Sequence, residues 1–193
     1  RDCTGLAYHA VPDLRGRGCP PLHTAFWPRP PPWAALSSTL CPVCGIAGIV
    51  TDALGPERQA RIHAQLRALL SAQAHRGPDG QGVWSDGDSS GGPHAYLGHR
   101  RLSIIAPGPL SAQPMCSHDG RYTLVLNGAI YNFVELGSEL SLDPLLRRSD
   151  TAVLLAAWSR LGPPCLSRLN GMFAFAVWDA TELIVGSFVM LGD

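Results

Sequence analysis

The spacing of apolar positions divides the chain at Cys44. Residues 1–43 carry the run "WPRPPPW" at 27–33 and follow neither a helical nor a strand period, so a proline-rich, unstructured extension is expected there. From Cys44 onward the pattern becomes regular. "CGIAGIV" (44–50) reads as a short apolar strand. "GPERQARIHAQLRALLSAQAHRG" places Ile62, Leu66, Leu69 and Leu70 on one face of a helix that Gly77 and Pro78 end. Strand-like runs follow at 81–84 and 95–105, separated by the turn-forming stretch "SDGDSSGGPHA". "YTLVLNGAIYNF" (122–133) is the most strand-like run; it is expected to break at Asn127-Gly128 and pass into a helix around 131–140. "SDTAVLLAAWSRLG" (149–162) predicts a helix capped by Ser149 or Asp150, with Val153, Leu154, Ala157 and Leu161 on one face. "GMFAFAVWDA" alternates like a half-buried strand. Strands and helices in this order predict a layered α+β domain.

Composition narrows the partners rather than the fold. Of 193 residues, 46% are hydrophobic and 16% charged, a globular balance sufficient for one main domain. Fifteen basic residues against fifteen acidic ones leave no net charge, which favours neither a nucleic acid nor a membrane surface and suits a small neutral or zwitterionic substrate. No apolar run reaches the roughly 18 to 20 residues that span a bilayer, and the first residues lack a signal-peptide layout, so a cytoplasmic protein is expected. The cysteines at 3, 19, 41, 44, 116 and 165 are irregularly scattered, which points to reduced thiols rather than a disulfide framework.

Taken singly, the chemically suggestive residues have plain readings. A cysteine opening an apolar strand is usually a small buried hydrophobe, and Asn-Gly is the strongest short hairpin signal. Arg101 reads as a solvated charge, Asp150 as a helix cap, and Gly-Pro-Asp-Gly at 77–80 as a turn. Cys41 and Cys44 form a CxxC, but no second ligand pair accompanies it, which argues against redox or zinc chemistry.

Their order gives them another meaning. "CGIAGIV", "HRGPDGQGVW", "LGHRRLSII", "AQPM", "LNGAIYNF", "SDTAVLL" and "LNGMFAFAVWD" occur in one sequence with sensible gaps. Together they resemble the glutaminase domain of glutamine-hydrolysing asparagine synthetases, a class II, N-terminal-nucleophile glutamine amidotransferase, over residues 44–180. The resemblance implies a four-layer αββα sandwich, two antiparallel sheets between helices. It implies that the Cys44 thiol attacks the side-chain amide of glutamine, with the free α-amino group of the same residue as base, its pKa of about 7.7 to 8.0 lying near working pH. It assigns an oxyanion hole to the Asn127 side-chain amide and the Gly128 N–H, and the grip on the substrate α-carboxylate to Arg101. Leu102 and Ile104 belong to the same substrate site, and Asp150 meets the α-ammonium. The HRGPDGQG segment shapes the pocket through its backbone. No metal or cofactor is implied for this domain; ATP and magnesium belong to a synthetase domain or subunit that would be its partner, and a homodimer is compatible with the family.

The sequence departs from the family pattern in two places. Where the family usually reads Asn-Gly-Glu, this chain has Ala129, so one carboxylate that helps hold the substrate ammonium is missing. After Trp178-Asp179 a divergent tail, "TELIVGSFVMLGD" (181–193), replaces the basic segment that leads into the synthetase domain. "SSGGPH" at 89–94 lacks the Asp-Ser of a pyrophosphate loop, and truncation or a reading-frame change near 180 is the simplest account. The expected function is the glutaminase half of an asparagine synthetase, feeding ammonia to an amidation of aspartate. The alternatives are an amidotransferase for another acceptor and a catalytically silent fragment. The working protein is expected to begin at Cys44, through cleavage after Val43 or, preferably, through initiation at a GTG codon for Val43.

Overall fold

The computed structural model describes residues 9–10, 44–52, 55–87, 93–103 and 109–190. Two antiparallel sheets form its centre. The first has three strands, β2 (Gly45–Thr51), β3 (Gly80–Ser85) and β4 (His94–Arg101), in the order β2-β4-β3. The second has five strands, β1 (His9–Ala10), β5 (Met115–Cys116), β6 (Tyr122–Ile130), β7 (Gly171–Asp179) and β8 (Ile184–Met190), in the order β1-β8-β7-β6-β5.

Burial on both faces explains why β6 opens with the largely apolar run Tyr122–Leu126 rather than a clean alternation, and why β4 is buried from His94 to His99. Helix α1 (Pro56–Ala72) lays Ile62, Leu66 and Leu70 on Tyr96 of β4, flanked by Ala47 and Ile49 of β2. Each fully buried leucine there contributes on the order of 1.5 to 3 kcal/mol. Between the sheets, Ala95 and Leu97 meet Val125 and Trp178, with Ile46 and Trp84 at their margin. On the far side, α2 (Phe133–Glu139) and α3 (Asp150–Leu161) cover Leu124, Leu126, Phe173 and Phe175. The result is a helix–sheet–sheet–helix sandwich, the four-layer arrangement that the motif order implies.

Several local expectations change. Leu69 is 45% exposed, because the stripe of α1 that meets the sheet runs through 62, 66 and 70, four residues apart, and Leu69 lies off it. Leu161 ends α3 and is exposed for the same reason of position. The strand expected over 95–105 ends at Arg101.

Strand β6 does not break at Asn127-Gly128: its ladder with β7 continues to Ile130 opposite Gly171. Glycine makes this continuity possible. Gly128 has φ 127°, and a Cβ there would lie 2.1 Å from the Met172 carbonyl oxygen.

The stretch after residue 180, expected to be a divergent tail, supplies β8, which pairs with β7 from Phe173 opposite Met190 to Asp179 opposite Ile184. Within the proline-rich extension, His9 and Ala10 pair with Ser187 and Gly186 of that strand; the remainder of 1–43 lies outside the described residues.

Candidate active site

A cavity of about 250 Å³ opens where β2 begins, β4 ends and β6 passes α3. Cys44, Arg101, Leu102, Gly128 and Asp150 all line it, so five of the seven residues singled out in the sequence meet in one place. Ile104 lies outside the described residues. Asn127 is not part of the cavity wall. Val125 packs between the sheets, and strand alternation puts the Asn127 side chain on that same side, the side facing β2. Its Oδ1 is buried without a hydrogen-bond partner among the described residues.

Cys44 is half-buried directly before β2. The Leu102 N–H donates to its Sγ at 3.3 Å, and the thiol lies 3.6 Å from the Leu102 carbonyl. The Cys44 carbonyl accepts from Arg76 Nε at 3.4 Å.

The Gly-Pro-Asp-Gly segment proves to be more than a turn. The Asp79 N–H donates to the Arg101 carbonyl at 3.0 Å, and Asp79 Oδ2 accepts the Ser103 N–H at 2.7 Å. A side chain at Gly77 would collide with the Arg100–Arg101 backbone. This segment therefore fixes the residues on either side of Leu102, and through Leu102 the thiol.

Ser149, not Asp150, caps α3, accepting the Ala152 N–H at 3.3 Å. That leaves the Asp150 carboxylate to other partners. Its Oδ2 accepts the Ile130 N–H at 3.3 Å and its Oδ1 the Thr151 N–H at 2.7 Å. Burial pushes its pKa above the ordinary 3.8, and these two amides pull the other way. Asp150 is the sole acidic residue in the cavity wall among the described residues. Ala129 also lines the wall, beside the exposed Tyr131 and Met172.

Sequence reasoning passed over His99, Gln113 and Thr151, all in the same wall. His99 is buried, with Nε2 3.2 Å from the Leu126 carbonyl; because a carbonyl only accepts, that nitrogen carries the proton. Burial lowers its pKa to about 4, so the ring is neutral near pH 7. The signal was present in "LGHRRLSII" and "AQPM", but only their order was informative there. An electrophile bound in this cavity would meet a thiol, a guanidinium and a carboxylate at once, the set needed to hold an amino acid and attack its side chain.

Residues 43–186 match the family model described as a glutamine amidotransferase domain. A putative asparagine synthetase [glutamine-hydrolyzing] of Mycobacterium tuberculosis is 39% identical over 147 residues, covering 71% of this chain and 22% of its own length. Asparagine synthetase [glutamine-hydrolyzing] 1 of Bacillus subtilis is 34% identical over 146 residues, covering 74% and 22%. Amidase chry2 of Gibberella zeae is 32% identical over 145 residues, covering 71% and 21%. The chain thus spans about a fifth of the length of these curated relatives.

Proposed function

Because the chain belongs to the glutamine amidotransferase domain family, we propose that it hydrolyses glutamine to glutamate and ammonia, and that the ammonia serves an ATP-dependent amidation of aspartate by a synthetase domain. The observation that carries this reading is the single cavity shared by the Cys44 thiol, Arg101 and Asp150. In it, Arg101 receives the α-carboxylate of glutamine and Asp150 its α-ammonium, which leaves the side-chain amide to reach the sulfur. The thiolate adds to the amide carbon. Negative charge forms on the amide oxygen, which the Gly128 N–H in the cavity wall receives, with the Asn127 side chain, on the face of β6 toward β2, assigned as the second donor by its motif. The carbon–nitrogen bond then breaks, ammonia leaves carrying the proton taken from the thiol, and a thioester remains on Cys44. Water cleaves the thioester, giving glutamate and the free thiol. Neither ATP nor magnesium takes part in these steps, and the setting is the cytoplasm.

Incubating the chain, with its N-terminus at Cys44, with L-glutamine tests the reading. Glutamate and ammonia are expected in equal amounts; absence of both from folded protein overturns it. One relative named as an amidase rather than a synthetase supports a second reading, in which the same ammonia serves an acceptor other than aspartate.

Two further results are expected from this assignment. Asn127→Ala should lower kcat by about 10² to 10³ with little change in KM, because the charge it meets exists mainly in the transition state. A change confined to KM would contradict that role. For Asp150, pairing with an ammonium requires the carboxylate form. As pH falls through its raised pKa the group is neutralised, so kcat/KM for glutamine should decline at a pH above the ordinary 3.8. Asp150→Asn should raise KM about tenfold, or about 1.4 kcal/mol, and remove that acidic limb. A variant that keeps the limb assigns it to another group.

A further inference from the structure

We propose that Gln113 is a positioning residue that ties the strand carrying the oxyanion donors to Asp150, and so sets the spacing between the two halves of the substrate site. Its kinetic consequence rests on the glutaminase reading; its structural content does not.

The proposal starts from where a sheet edge runs out. In an antiparallel strand, alternate residues direct their N–H and C=O to the same neighbour. On β6, Leu124 faces Met115 of β5, but β5 is only two residues long, so the ladder on that edge stops there. Side chains take over beyond it. The Leu126 N–H donates to Gln113 Oε1 at 2.5 Å, and the Leu126 carbonyl accepts from His99 Nε2 at 3.2 Å. Four residues on, the Ile130 N–H donates to Asp150 Oδ2 at 3.3 Å. Alternation puts the Gly128 N–H on this same edge, midway between the two anchored amides and in the cavity wall.

The two anchors are themselves joined. Gln113 Nε2 donates to Thr151 Oγ1 at 3.2 Å. Thr151 in turn gives its N–H to Asp150 Oδ1 at 2.7 Å, and its hydroxyl lies 3.4 Å from the same oxygen. The bonds form a closed circuit from Leu126 through Gln113, Thr151 and Asp150 to Ile130, and back along β6. Gln113 uses both ends of its side-chain amide, as Asp150 uses both oxygens of its carboxylate. Its backbone is backed by β3: a Cβ on Gly82 would lie 1.8 Å from the Gln113 carbonyl oxygen, so that strand comes close enough to hold it only because glycine stands there. A shift of Asp150 is therefore transmitted to the strand that presents Gly128.

Amide hydrogen exchange followed by NMR on the full chain tests the circuit without requiring turnover. Gln113→Leu should speed exchange at both Leu126 and Ile130, by about fivefold to tenfold, as the loss of one net hydrogen bond implies. Thr151→Val should speed Ile130 and leave Leu126 protected. Unchanged exchange at Ile130 in folded Gln113→Leu overturns the proposal. If that variant fails to fold, Gln113→Glu keeps the acceptor and loses the donor; it should speed Ile130 alone, and an unchanged Ile130 is again fatal.

In the ammonia assay, Gln113→Leu should lower kcat and raise KM together, whereas Thr151→Val mainly raises KM. In the double variant KM should rise no further, since both changes cut the same branch; additive effects on KM would contradict the circuit. Coupled exchange in a chain that releases no ammonia upholds the circuit and rejects the glutaminase reading.

Discussion

Cys44→Ala is expected to take ammonia release from glutamine to the uncatalysed background while leaving the melting temperature nearly unchanged. The thiol is half-buried and outside the three apolar clusters, and it touches its surroundings mainly through two weak sulfur contacts to Leu102. Its removal therefore costs chemistry and little packing. The other described cysteines are unsuited to the role. Cys165 is fully buried and its thiol is pushed up to about 11 by that burial, so it stays protonated, and Cys116 is exposed on β5, outside the cavity. Cys116→Ala is the matched control and should release ammonia normally. Comparable release from Cys44→Ala and the parent chain would sink the assignment.

A chain that retains residues 1–43 is expected to be silent, and one that begins at Cys44 active. Bonded to Val43, the Cys44 nitrogen is an amide without a basic lone pair; freed, it has a pKa of about 7.7 to 8.0 and can take the thiol proton. No other group in the described cavity wall replaces it. His99 has its proton on Nε2, committed to the Leu126 carbonyl, and a pKa of about 4 leaves the ring a poor base. Asp150 is occupied by two backbone amides. Loss of a general base typically costs about 10² to 10⁴ in rate, and that is the expected difference between the two forms. Mass spectrometry of the N-terminus, paired with the ammonia assay, measures it. Equal rates from a chain shown to keep residues 1–43 would remove the terminal-amine mechanism.

What the sequence made legible follows from the range of the interactions involved. The two long helices and the strands at 45–51 and 171–179 are specified by spacing along the chain, and the apolar pattern located them. The competition between Ser149 and Asp150 for the cap of α3 is different. Both suit the position chemically, and only the contact of Asp150 with Ile130, twenty residues earlier, shows why Ser149 takes it. Continuity of β6 through Asn127-Gly128 was likewise hidden, since Asn-Gly has a strong local turn preference and the opposing preference comes from β7. Gln113 and His99 were illegible for the same reason. A glutamine beside a proline and a histidine before two arginines have no local signature, and their contacts are made with residues of other elements. Cys44, Arg101 and Asp150, to which the proposed mechanism gives covalent reactivity or full charge, share one cavity as their motif order implies, because that order stands in for tertiary proximity.

The groups assigned to the proposed reaction are divided between the two sheets: the thiol stands at the start of the three-stranded one, and the Asn127-Gly128 pair belongs to the five-stranded one. Neither sheet alone holds both. Packing of Trp178 and Val125 on Ala95 and Leu97 joins the two layers, so under the proposed mechanism this seam sets the spacing between thiol and donors. On the proposed mechanism, a chain in which only one sheet had formed would hold either the thiol or the Asn127-Gly128 donors, and not both.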